Sequence, residues 1–178
     1  VAVADALGTG VMADLAAGLG RGAGAGSALA TAALFRGRPA DAVAQTRELL
    51  TTTPAAGAQD KYIEALAQML ATFARTQLRS LSDQLLARLQ QVLGSDTPAA
   101  SRSAAAAFVA QSVYLRHFGP QPTRQAAMLE QAIAMLQRWP APHWLVLAEG
   151  QMGEVRVSLG QLEEGLNHLR AATERSEG

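Results

Sequence analysis

The chain has 178 residues, enough for one domain with a real core, since 49% are apolar. Its 15 Lys and Arg balance its 15 Asp and Glu, which removes the basic footprint of a nucleic-acid-binding domain. Cysteine is absent, so disulfides, thiolate chemistry and Cys-based metal sites are excluded.

Aromatics make up only 4%, and the apolar residues are mainly Ala, Leu, Val and Met, which favour helices over strands. All basic residues are Arg except Lys61. Residues 1–24 differ from the rest, because eight of the 16 glycines fall within 1–37. Val11-Met12-Ala13-Asp14-Leu15-Ala16 reads as a remnant helix, and the Gly18–Gly26 run as its loose connection to the first full repeat. The segment 17–26 is expected to be the most irregular part of the chain. Gly20-x-Gly22-x-x-Ala25 matches a dinucleotide fingerprint only loosely, with no strand before it, and no Lys stands after it to complete a phosphate loop. No cofactor is therefore expected. Asp5, Asp14 and Arg21 interrupt the apolar stretches, so no membrane span is expected, and no basic region precedes an apolar run as in a signal peptide. A start at Val1 and not at Met points to a piece cut from a longer polypeptide.

Three junctions have the form helix–tight turn–helix. They are Leu34-Phe35-Arg36-Gly37-Arg38-Pro39-Ala40-Asp41-Ala42, Leu115-Arg116-His117-Phe118-Gly119-Pro120-Gln121-Pro122 and Ser158-Leu159-Gly160-Gln161-Leu162-Glu163-Glu164. Each helical run stops at Gly, which accepts φ > 0 without a Cβ penalty. The glycines stand at 37, 119 and 160; 160 − 119 = 41 and 119 − 37 = 82, twice 41. A fourth junction is due near residue 78, where Thr76-Gln77-Leu78-Arg79-Ser80 separates two apolar-periodic segments without a Gly.

On this lattice the domain 25–178 contains four helix pairs, 25–53, 59–94, 99–138 and 143–175, each with a first helix A and a second helix B. The B helix of the second pair carries the stripe Leu81, Leu85, Leu89 and Val92, with Leu86 and Leu93 beside it. Thr97 and Ser101 stand near one helix start, and Ser80 and Ser82 near another, where hydroxyls cap free N–H groups. The fold class is therefore all-α: a right-handed solenoid of about four antiparallel helix pairs, without β-sheet.

Residues 147–172, Leu147-Ala148-Glu149-Gly150-Gln151-Met152-Gly153 through Gly160-Gln161-Leu162-Glu163-Glu164-Gly165 to Leu169-Arg170-Ala171-Ala172, resemble a tetratricopeptide repeat. The large–small pair Met152-Gly153, the turn Gly160, the small Gly165, Leu169 and Ala172 stand where that family places such residues. Arg156 departs from it, at a position where the family has a large apolar or aromatic residue. The resemblance is good over 145–173, fair over 25–53 and 99–138, and weak elsewhere. In style, Ala/Arg-rich repeats near 40 residues look like the C-terminal helical region of MalT-like bacterial transcriptional regulators.

Chemistry is sparse. His117, His143 and His168 are 26 and 25 residues apart, without the i, i+4 spacing of a metal-binding helix, so no metal site is expected. Glu163-Glu164 begin a helix, where negative charge is favoured, and consecutive residues point in different directions, so dipole compensation is preferred over acid–base catalysis. Trp139-Pro140-Ala141-Pro142-His143-Trp144 holds both tryptophans, read as a plug between pairs three and four in preference to an exposed aromatic platform. Ala104-Ala105-Ala106-Ala107 reads as a close-packing face. No catalytic residues are assigned.

The resemblance places binding in a groove lined by the A helices. Its groove positions fall on Gln68, Thr72 and Arg75, on Val109, Val113 and Arg116, and on Gly150, Glu154 and Val157. Arg75 and Arg116, one repeat apart, would stand close enough to grip a carboxylate or phosphate. The implied function is a cytoplasmic protein- or peptide-binding scaffold, the sensing or assembly module of a larger bacterial transcriptional regulator. A small-molecule effector sensor and a structural spacer or homodimerisation module are the alternatives. No direct nucleic-acid contact and no membrane partner are expected.

Overall fold

A computed structural model describes residues 30–34, 36–55, 57–94 and 100–177, and all regular structure among them is helical. A helical stretch at 30–34 precedes seven helices: α1 Pro39–Thr51, α2 Gln59–Arg75, α3 Arg79–Leu93, α4 Arg102–Phe118, α5 Pro122–Arg138, α6 Pro142–Ser158 and α7 Leu162–Glu177. The N-terminal lead-in, its glycine run and loose dinucleotide match, and Thr97 lie outside the described residues.

The junction without a glycine is present: α2 ends at Arg75 and α3 begins at Arg79. Gln77 supplies the left-handed residue there, with φ +59°, as Gly37 does at +68° and Gly160 at +80°. All three close the same pair of hydrogen bonds. Gly37 N–H donates to the Leu34 carbonyl and Arg38 N–H to Ala33; Gln77 donates to Ala74 and Leu78 to Phe73; Gly160 donates to Val157 and Gln161 to Arg156. This 5→2 and 6→1 pattern satisfies carbonyls that a helix end would otherwise leave open. Gly119 differs from the expectation. Its φ is −175°, extended backbone open to any residue, and its N–H makes a single bond to the Leu115 carbonyl.

Three helices start on proline, at Pro39, Pro122 and Pro142, where the missing N–H costs nothing and φ is already helical. Ser101 caps α4 by accepting from Ala104 N–H at 3.1 Å. Ser80 and Ser82 do not cap α3; Ser82 is buried and donates back to the Leu78 carbonyl at 3.0 Å. A side chain that turns toward the preceding carbonyl cannot also accept from the helix N-terminus.

Packing is repeat-like. The main contacts join helices one or two places apart in the chain: α2 with α3, α4 with α5, α5 with α6 and α6 with α7, and across these α2 with α4 and α4 with α6. The Leu81, Leu85, Leu89 and Val92 stripe of α3 is buried, and Leu86 and Leu93 pack beside it. Each such leucine contributes about 1.5–3 kcal/mol relative to an exposed one. Ala104, Ala105, Ala106 and Ala107 are all buried. Four consecutive helical residues point all round the axis, so this end of α4 is enclosed on every side, and only small side chains leave room for that. Trp144 is 2% exposed and belongs to the core, as the plug reading requires; Trp139 is partly buried, with the Arg138 guanidinium 4.8 Å from its ring centroid.

Polar contacts also tie the helices together. Tyr62, fully buried on α2, donates to the Leu49 carbonyl at 2.9 Å and accepts from Arg88 Nε at 3.1 Å, while Arg88 Nη2 reaches the Thr52 carbonyl. Arg156, the departure from the repeat pattern, bridges three elements. Its guanidinium pairs with Glu130 of α5 and with Glu164 of α7 at 3.5 Å, and donates to Gln161 Oε1 at 2.8 Å. A long cation there fills with charge a joint that an apolar residue would fill with volume.

Candidate functional site

The A-helix positions divide into two kinds. Val109 and Val113 are fully buried in the core and present no surface to a ligand. Their helix, α4, packs against α2, α5 and α6, and in a core of small residues neighbouring helices close over such positions. Gln68 and Thr72 are partly buried on α2, with Thr72 Oγ1 donating to the Gln68 carbonyl at 2.8 Å. Val157 is exposed, as are Leu159, Leu162 and Leu166 around the α6–α7 turn.

Arg116 and Glu154 come together, and Arg75 stands on the helix packed beside that of Arg116. Arg75 occupies the last turn of α2 and Arg116 the last turn of α4, and α2 packs along α4. Arg116 forms an ion pair with Glu154 of α6, whose Oε2 also accepts from Gln151 Nε2 at 3.2 Å. Arg75 makes no ion pair among the described residues. Although it keeps solvent-exposed surface, crowding by its neighbours and then the positive Arg116 lower its pKa from the usual arginine value. His117 is likewise held below the usual histidine pKa by burial, then by Arg116 and Arg75. Both groups thus sit in a field that disfavours further positive charge.

Arg116 and Glu154 rim an open recess of 290 Å³ that also meets Pro120, Pro122, Gln125 and Val155. Glu154 stands as well on the edge of a neighbouring recess of 320 Å³, between Gly150, Leu147, Leu169 and Ala172. A third recess, of 480 Å³, lies at the N-terminal ends of α2 and α4, against Trp139 and Pro140. Its acidic groups are already engaged: Ser103 Oγ donates to Asp60 Oδ1 at 2.5 Å and Arg102 Nε to Glu64 Oε1 at 2.6 Å. No protein-family model matches this chain, and no curated protein matches it either. Among the described residues no helix is long and apolar enough to cross a membrane, and no group of three His, Asp or Glu could hold a metal ion.

The Arg116–Glu154 pair is what sequence reasoning left out, although both residues fall on expected groove positions. The signal was there: 116 + 41 = 157, and Glu154 lies three residues, one helical turn, before that position on the next A helix.

Proposed function

We propose that this chain is a protein- or peptide-binding scaffold: a right-handed superhelix of antiparallel pairs of the tetratricopeptide kind, serving in the cytoplasm as the sensing or assembly module of a larger bacterial transcriptional regulator. The observation that carries the binding reading is the placement of two accessible guanidiniums, Arg75 and Arg116, in the last turns of adjacent helices, with the Glu154 carboxylate paired to Arg116. Fixed cations crowded together gain most from an incoming anion, and guanidinium forks hold carboxylates bidentately. Two further observations support the repeat assignment. Contacts run between near neighbours in the chain, and Gly153 and Gly165 meet where the resemblance asks for small residues. A peptide fits better than an enclosed effector, because the recess beside Arg116 is open and, at 290 Å³, sits at the lower edge of the roughly 300–1,000 Å³ of small-molecule sites.

Affinity capture from a lysate of the native host, with wild type and the Arg75→Ala/Arg116→Ala double variant side by side, tests this reading. A partner retained by the wild type and lost by an equally helical double variant is the expected result; loss of one charged partner weakens binding about tenfold or more. Identical partner sets overturn it.

A further inference from the structure

The cluster contains two guanidiniums and a single carboxylate. A basic residue also stands in the last turn of other helices, as Arg138, Arg156 and Arg175 show, and each suits the negative end of its own helix. Helix ends alone do not account for Arg75 and Arg116 occupying the last turns of two helices that pack together, nor for a carboxylate brought to Arg116 from a third helix, α6. Glu154 is held lightly. Besides Arg116 it meets only the Gln151 amide among the described residues, and the side chains of Arg116 and Glu154 are 40% and 42% exposed. An ion pair so open to solvent is weak and exchanges readily. Beside it the recess offers an apolar floor of Pro120, Pro122 and Val155.

We infer that Glu154 is the resident occupant of an anion site formed by Arg116 and Arg75, and that the carboxylate of an acidic peptide takes its place there. Glu154 then acts as a built-in competitor: it satisfies Arg116 in the free protein and sets a threshold that only a multiply acidic segment exceeds. Such a segment offers one carboxylate to Arg75 and a second to Arg116, and an apolar side chain next to them settles on the recess floor. This rests on the reading of the Arg75–Arg116 face as a binding surface, and adds to it the ligand class and the role of Glu154.

The test is fluorescence anisotropy of a labelled hexaglutamate peptide at low salt, with hexaglutamine as the neutral control and helicity checked for each variant. Glu154→Gln frees Arg116 and is expected to bind hexaglutamate about tenfold more tightly than wild type. Glu163→Gln removes the same charge from the exposed first turn of α7 and is expected to change affinity less than about twofold, the scale of a screened surface charge. Adding Arg75→Ala to Glu154→Gln is expected to cancel the gain. Equal gains from Glu154→Gln and Glu163→Gln would reduce the effect to net charge and overturn the inference. If Glu154→Gln binds as wild type does while Arg75→Ala and Arg116→Ala lose binding, the competitor role fails and the binding surface stands. If the arginine variants bind as wild type does, or no variant binds at millimolar peptide, both fail. Competition by inorganic phosphate at the same concentration as hexaglutamate would assign the site to a small anion and overturn the peptide.

Discussion

Gly153 on α6 and Gly165 on α7 face each other backbone to backbone: a Cβ at Gly153 would lie 2.8 Å from the Gly165 carbonyl oxygen, and a Cβ at Gly165 would lie 2.8 Å from that of Gly153. A Cβ at Gly153 would also meet Leu169 Cγ at 2.6 Å. Any side chain at either position must push the two helices apart. Gly153→Leu is therefore expected to destabilise by about 1–3 kcal/mol or more, lowering the melting temperature by at least several degrees. Gly150, one turn earlier on α6, has nothing within 4 Å of its Cβ position, so Gly150→Ala should stabilise by about 0.5–1 kcal/mol through helix propensity. Thermal melts of the two variants should move in opposite directions; a melting temperature unchanged by Gly153→Leu would contradict the crossing.

The same helix pair buries a carboxyl group. Glu149 on α6 is 5% exposed, and its Oε2 lies 2.5 Å from His168 Nδ1 on α7. His168→Leu leaves a buried carboxyl group without its partner and is expected to cost about 1–3 kcal/mol. Replacing both by leucine removes the unsatisfied group with its partner and should cost less than the single change. Urea denaturation of the two single variants and the double variant, read as a cycle, measures the coupling. Additive effects would mean that the pair contributes nothing.

Much of this architecture was legible because local rules left marks in the sequence. Pro122 and Pro39 each start a helix, the α3 stripe is buried, and the junction at 76–78 is implied by glycines elsewhere on the lattice. The surroundings of the expected groove positions were only partly legible. Val109, Val113 and Arg116 share one face of α4 by spacing alone, yet two are buried and one is exposed. Which of them meets solvent depends on how closely α2 and α6 approach α4, and helix-to-helix distance is a property of the assembled core. The role of Arg156 was hidden for the same reason, since its partners Glu130 and Glu164 are brought to it by two other helices.

Acid should weaken the fold through His143 and His117. At His143, burial lowers the pKa from 6.5; nearby Glu64 opposes this and Arg102 adds to it. The His117 pKa is lowered too, and both rings keep solvent-exposed surface. The folded chain thus takes up these protons less readily than the unfolded chain. Stability is unaffected well above pH 6.5 and falls as the pH drops through that value, because the unfolded state binds more protons. Melting temperatures should decline between about pH 7.5 and pH 5.5, in the range where histidine titrates. His143→Gln, which cannot titrate, should flatten the profile. A variant profile parallel to wild type would show that His143 contributes nothing to the acid sensitivity.

Gln77 takes the place of a glycine. It carries the same left-handed backbone and the same two hydrogen bonds as Gly37 and Gly160, but with a Cβ. That conformation costs an L-residue about 1–2 kcal/mol, and glycine avoids it while giving up some backbone entropy on folding. Gln77→Gly is accordingly expected to stabilise by about 0.5–1 kcal/mol, a net gain smaller than the strain it relieves. Gly160→Ala should destabilise by a similar amount, although open space surrounds its Cβ position, because the penalty is in the backbone and not in packing. Gly119→Ala provides the contrast. With φ −175°, a following Pro120 that favours extended backbone, and nothing within 4 Å of its Cβ position, it should change stability little. Urea midpoints for the three variants should therefore rank Gln77→Gly above wild type, Gly119→Ala near it and Gly160→Ala below it. If Gly119→Ala proved as costly as Gly160→Ala, the two turns would share one backbone requirement, and extended backbone at Gly119 could not be its cause.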